Sequence, residues 1–389
     1  MEAAMVVAKL AKLPGGQAVI DAVADDTSVW LVGGAVRDLL LERTPSEIDL
    51  VVEGPLDDLL GRLGGEAERF ERFGTATVLL DGVRIDLASA RTETYAQPGA
   101  LPEVEPASLD EDLRRRDFTI NAIAVRICDG EVRADPAALG DLRAETLRVL
   151  HQRSFLDDPT RLWRGARYSA RLGFSLEPET ASLAAAATPG SISGPRLGHE
   201  LLLALAEPDP TAVFAAVESF NPAALPEGFC ASPQGLGDAL ELLGEDGRRD
   251  LLTLAACCKG VELELLTRWL DYLGFTASER DLVAISSRWV TAAPLRNAQT
   301  PAQVAAAARG APIEAVALCG GDNARRWIDE LRYVGLEISG DELLAAGATP
   351  GPAIGAGLQY ALELTLDGEI AGAEQQLEAA LERAQEASQ

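Results

Sequence analysis

The hydrophobic period of this chain changes once, near residue 141, and that change limits the folds open to it. Before it, short apolar runs end in glycine or turn residues. SVWLVGG (28–34), IDLVVEG (48–54), TATVLL (75–80), VRIDLASA (83–90) and FTINAIAVRI (118–127) read as strands, with Asp81 and Gly82 as a turn signal. Helical spacing falls between them in AVRDLLLER (35–43) and in DDLLGRLGG, which Gly64 and Gly65 close. YAQPGALPEVEP (95–106) is too irregular for an element and long enough to be a mobile functional loop. After residue 141 the pattern is helical to the end, rich in Ala and Leu, with breaks at 189–190, 208–210, 222–228 and 350–352 and an amphipathic tail (355–388). An α/β head followed by an elongated helical body is the expected architecture. At 389 residues the chain is too long for one compact core and should form two to four units.

Composition removes several classes. No run of eighteen apolar residues occurs, and the first residues lack an apolar core ending in a cleavage site, so a cytoplasmic protein is expected. Five cysteines without a CxxC pair and only two histidines, His151 and His199, exclude a zinc ribbon or finger; the thiols should be free. The net charge is −27, which on average repels nucleic acid. Against that background, residues 143–171 carry seven arginines and three acids, an island that suits an anion or phosphate.

Several short patterns carry chemistry. Gly33 and Gly34 stand where a strand meets a helix. Backbone N–H groups there can approach an anion at the positive helix end, and Arg37, one turn in, can add a charge-assisted bond. Glu47 and Asp49 lead into a strand two residues apart, so alternation points both carboxylates the same way. Like charges that close call for a bridging cation, and Mg²⁺ with a nucleotide phosphate is the usual one. Asp86 is a candidate third acid from a neighbouring strand. Asp158 and Pro159 read as a helix start, with an acidic N-cap and proline in first position. In the helix that follows, Arg161, Arg164, Arg167 and Arg171 fall within about 120° of arc, without interleaved glutamates. A carboxylate and a guanidinium one turn apart can present an acceptor and donors to a base edge.

LVGGAVRDLL with EIDLVV, then FGTATV, ARTETY, DLRRRDFTINAIAV and SFLDDPTRLWRGARYSARLGF together resemble the class II tRNA nucleotidyltransferase/poly(A) polymerase family, which includes the bacterial CCA-adding enzymes. The resemblance is ordered over about residues 28–180 and looser beyond. It implies an α+β protein: a nucleotidyltransferase-type mixed-sheet head (1–142) followed by an elongated all-helical neck (143–235), body (236–345) and tail (346–389).

Residue by residue, the resemblance implies that Gly34 and Arg37 bind the triphosphate and that Glu47 and Asp49 are the paired metal-binding, catalytic carboxylates for Mg²⁺. Arg116 then lies near the nucleotide sugar. Asp158 and Arg161 imitate a template base to read CTP and ATP, and Arg164 and Arg167 continue the nucleotide-facing helix. The implied partner is the tRNA 3′ end, the implied activity addition of C, C and A, and the 95–106 loop is a candidate switch from C to A. No membrane or protein partner is implied. Asp157 stands where many members have Glu. Glu47 is the larger departure, because the family's first metal carboxylate is normally Asp. That substitution keeps open a non-catalytic RNA-binding paralogue beside an A-adding or poly(A)-adding relative.

Overall fold

The computed structural model describes residues 2–70, 74–96, 99, 102–188, 192–289 and 292–387. They form two compact units, Met1–Leu225 and Pro226–Gln389. In the first, seven strands make one mixed sheet: β1 (Val29–Val32), β2 (Ile48–Val52), β3 (Ala67–Phe70), β4 (Thr75–Leu80), β5 (Val83–Ser89), and the two later strands below. β6 (Arg91–Thr94) and β7 (Glu103–Pro106) pair separately as an antiparallel ribbon. β8 (Ile123–Arg126) and β9 (Val132–Ala134) complete the sheet, whose order is β3-β4-β5-β2-β1-β8-β9. Among these neighbours β2 and β5 run parallel and the rest antiparallel.

The sheet forms where the apolar runs promised it. All four residues of β1 are buried, and the guanidinium groups of Arg126 and Arg133 lie over the Trp30 ring, 5.1 and 5.0 Å from its centroid. Its indole N–H donates to Glu53 at 3.2 Å. Asp81 and Gly82 both take positive φ, 51° and 78°, as a two-residue hairpin between β4 and β5 requires. The helix Gly33–Leu40 packs Val36 and Leu39 beneath the sheet, and Leu109, Leu113, Ala122 and Ala124 join Trp30, Val32 and Val51 in one core cluster.

Three local expectations change. The 118–127 run is not one strand: Phe118 is buried and bridges to Val149, Thr119–Asn121 is a 3-10 turn, and only Ile123–Arg126 is extended in the sheet. The 95–106 stretch contributes an element after all, because Glu103–Pro106 pairs with Arg91–Thr94; residues 97, 98, 100 and 101 of that stretch lie outside the described residues. The long arginine helix is Thr160–Leu172, and Asp158 accepts from the Thr160 amide (3.2 Å) and hydroxyl (2.7 Å) just outside it.

The second unit is helical from Leu236–Leu243 to Gly372–Glu386. Its tail is broken at Gly368, which has φ 75°, so Pro352–Leu366 and Gly372–Glu386 fold back on each other over Leu343, Ala361, Ala380 and Ala384. The five cysteines are free thiols, with Cys257 and Cys258 buried in this unit. Among the described residues, no helix is long and apolar enough to cross a membrane.

Candidate active site

Strand register assembles the acids. β2 sets Asp49 opposite Asp86 of β5, and β4 sets Thr77 opposite Asp86, so these side chains share one sheet face. Ile48 and Leu50, which alternate with Asp49, are buried on the other face. Glu47 precedes β2 and reaches the same spot from a more exposed position. Ligand oxygens of Glu47, Asp49 and Asp86 lie within 4.8 Å of one another. Asp86 accepts from Thr77 Oγ1 at 2.6 Å and from Arg84 Nε at 2.9 Å, which orients its carboxylate. The Ala35 amide, in the first turn of Gly33–Leu40, donates to Asp49.

Forcing the carboxylates together raises the proton affinity of two of them, Asp49 and Glu47. Burial, Glu47 and Asp86 push Asp49 up to about 7 against the pull of Arg116. Burial and Asp86 likewise raise Glu47, with Arg84 opposing. An all-oxygen, mutually repelling donor set of this kind fits a hard divalent cation, which would relieve the repulsion. The extra methylene of Glu47 does not remove it from the cluster.

One open cavity of about 840 Å³ joins these acids to the other residues singled out in the sequence. Gly34, Arg37, Arg116, Asp158, Arg161, Arg164 and Arg167 all line it. Gly33 is the glycine the turn cannot replace: its φ is 63°, and a Cβ there would stand 2.6 Å from Arg116 Nη1. At Gly34 a Cβ would sit 3.6 Å from Arg37 Nη2 and from Asp49 Oδ2, so this position simply keeps the floor low. Arg37 is buried, donates to Asn121 Oδ1 at 2.7 Å and Asp38 Oδ1 at 2.8 Å, and lies 5.1 Å from the Tyr168 ring.

The arginine stripe is not a bare cationic face, contrary to what its local sequence suggested. Acids distant in sequence meet it. Arg164 pairs with Asp117 at 2.7 Å, Arg167 with Glu207 at 3.0 Å and Glu200 at 3.4 Å, and Arg171 with Glu207 at 3.8 Å. Arg116 pairs with the fully buried Asp112 at 3.0 Å. These pairs fix the guanidinium groups in place before any anion arrives.

Sequence reasoning missed the hub of this arrangement, Asp117. It accepts from Asn121 Nδ2 (2.9 Å), the Phe118 amide (2.8 Å), Arg164 Nε (2.8 Å) and the Tyr168 hydroxyl (3.3 Å). Although burial works the other way, Arg164 and Asn121 hold its carboxyl well below the usual carboxylate range. The signal available was that Asp117 alone follows three arginines into an apolar segment. Glu200 and Arg196, on the helix Gly194–Leu205, were also unforeseen; Arg196 donates to Asp158 Oδ1 at 2.9 Å and to the Gly99 carbonyl at 2.8 Å.

Residues 29–148, which hold the sheet, the glycine turn and all three acids, match the family model of the poly A polymerase head domain. The A-adding tRNA nucleotidyltransferase of Halalkalibacterium halodurans is 38% identical over 215 residues, 50% of this chain and 49% of that protein. The CC-adding tRNA nucleotidyltransferase of Deinococcus radiodurans is 45% identical over 193 residues, 48% of this chain and 52% of that protein. The chain thus spans about half the length of these curated relatives. A solved CCA-adding enzyme in complex with CTP superposes with TM-score 0.79 at 25% identity, over 97% of this chain and 97% of that chain. The motif resemblance is therefore borne out, as is a mixed-sheet head with a mostly helical remainder. Within residues 29–148, the acids and the glycine turn face one cavity.

Proposed function

We propose that the chain is a template-independent nucleotidyltransferase of the cytoplasm that adds C, C and A, from CTP and ATP, to the 3′ end of tRNA. The observation that carries this reading is the single cavity in which a three-carboxylate cluster meets both a glycine-floored helix start and the Asp158–Arg161 pair. A protein that only bound RNA would have no need to bring these together. The head (1–142) then supplies the chemistry, the neck (143–235) the base reading, and the body (236–345) and tail (346–389) support for the RNA.

Glu47, Asp49 and Asp86 would hold the metal, read as Mg²⁺. When bound, Mg²⁺ makes the 3′-hydroxyl more acidic and neutralises charge that builds on the triphosphate. The protein's own groups do the positioning. The backbone at Gly34 and the Arg37 guanidinium bind the triphosphate at the helix start. Arg116, pinned by Asp112, faces the sugar. Asp158 offers an acceptor and Arg161 offers donors to the base edge, and Arg164 and Arg167 wall the nucleotide helix. The Asp117 hub keeps Arg164 and Tyr168 in register with Arg37.

The test is a set of tRNA primers ending at the discriminator base, at C or at CC, incubated with Mg²⁺ and CTP or ATP. CTP should extend the first two primers and ATP only the third. A second reading, addition of A alone, is favoured by the 38% identity to the Halalkalibacterium halodurans A-adding protein. It is adopted instead if only the CC primer is extended.

The charge distribution carries a further expectation. Residues 201–389 hold 12 basic and 28 acidic side chains, so contacts to tRNA phosphate should be few. Affinity for tRNA should then fall shallowly with salt, since each phosphate contact adds roughly 0.9 to the slope of log K against log salt. A filter-binding series with a slope implying ten or more contacts would contradict this.

A further inference from the structure

Arg161 is held from behind. Its side chain is 5% exposed. Nη1 donates to Ser154 Oγ at 2.6 Å and faces His151 Nε2 at 3.5 Å, while Nη2 donates to the Arg115 carbonyl at 2.7 Å. Arginine has five N–H donors, so this grip fixes the plane of the guanidinium and leaves donors for the nucleotide side. Behind it lies a second cavity of about 280 Å³. Arg161, Arg115, Glu93 and Tyr95 line both cavities, which makes Arg161 part of the partition between them. His151, one of only two histidines in the chain, lines the second cavity alone.

We propose that His151 is a positioning residue for base selection: as a neutral imidazole with its proton on Nδ1, it accepts from Arg161 through Nε2 and aims the guanidinium at the base. This rests on the reading of Arg161 as a base-contacting residue. A histidine cation could not serve. It would lose the acceptor and place a second positive charge 3.5 Å from Arg161. Burial, Arg161 and Arg153 hold His151 below its ordinary value of 6.5, with Asp157 pulling the other way. The remaining charged groups facing the same cavity are Glu93, Glu111, Arg114 and Arg115, and Tyr95 donates its hydroxyl proton to Glu93 at 2.9 Å. The imidazole is therefore neutral at pH 7–8 and gains its proton only as the pH falls below 6.5. Base selection, but not triphosphate binding, should weaken over that fall.

The readout is the ratio of kcat/KM for CTP to that for UTP between pH 8 and pH 5.5, with the same ratio taken from dissociation constants. Protonation of Glu47 or Asp49 acts on every nucleotide alike and cancels in this ratio. In the wild type the ratio should fall as the pH drops below 6.5, toward the value that His151→Ala shows at pH 8. His151→Gln keeps an acceptor and cannot titrate, so its ratio should match the wild type at pH 8 and stay flat. His151→Ala should lower the ratio about five- to tenfold at pH 8, the cost of one hydrogen bond to a charged group, with UTP binding unchanged. A pH-dependent fall that persists in His151→Gln, or an undiminished ratio in His151→Ala, overturns the assignment. Arg161→Ala is measured alongside. If it leaves the ratio intact, base reading by Arg161 fails and the role of His151 falls with it; if it collapses the ratio while His151→Ala does not, only the role of His151 falls.

Discussion

Asp49→Asn should abolish nucleotide addition while leaving the metal-free protein at least as stable as the wild type at pH 8. The first effect follows from losing a ligand on a strand position that nothing else can fill. Metal activation is worth several kcal/mol of transition-state stabilisation, so the loss should be about a thousandfold or more. The second follows from the electrostatics. Burial and the neighbouring acids push Asp49 up to about 7, so its ionised form is disfavoured in the fold, and a neutral amide relieves that repulsion. A melting curve in chelator separates this from simple unfolding. Glu47→Asp sharpens the test. In the structure the longer side chain already reaches within 4.8 Å of both partners, which favours a site adapted to glutamate. Shortening it should pull the carboxylate back by about an ångström and lower turnover at least several-fold. Higher turnover in Glu47→Asp would instead mark a site that has drifted toward inactivity.

The second large effect concerns base choice. Asp158→Ala and Arg161→Ala should each lower discrimination of CTP and ATP over UTP and GTP by about five- to a hundredfold, the worth of a good side-chain pair on a base edge. Arg37→Lys, in contrast, should weaken all four nucleotides by a similar factor, because Arg37, tied to Asn121 and Asp38, is proposed to hold the triphosphate rather than the base. Competition assays with all four nucleotides read both outcomes at once. Equal losses in all three variants would leave Asp158 as a helix-start acceptor for Thr160 and nothing more.

How much of this was legible in sequence depended on distance along the chain. Local patterns translated well: VWLV became a buried central strand, Asp81 and Gly82 became the hairpin turn, and the spacing of Glu47 and Asp49 put both acids on one side. Asp86 could be suspected but not assigned, since its approach to Asp49 depends on the parallel pairing of β2 with β5. The arginine stripe misled for the same reason. Its partners Asp117, Glu200 and Glu207 are between 33 and 47 residues away in sequence from the arginines they meet, and no local rule reports such pairs. β3 and β9 escaped notice because AERF is exposed throughout and VRA is short and partly exposed, so neither shows an apolar run. The tail read as amphipathic throughout, but Gly368 turns it back on itself.

The most direct measurement is nucleotide-resolution sequencing of tRNA lacking its CCA end, after incubation of the wild-type protein with Mg²⁺ and all four nucleotides, with released pyrophosphate counted in the same reaction. The expected product is C, C, A and then a stop, with three pyrophosphates per tRNA. No addition by the wild type, together with none by Glu47→Asp, would contradict the enzyme reading and leave a protein that only binds RNA.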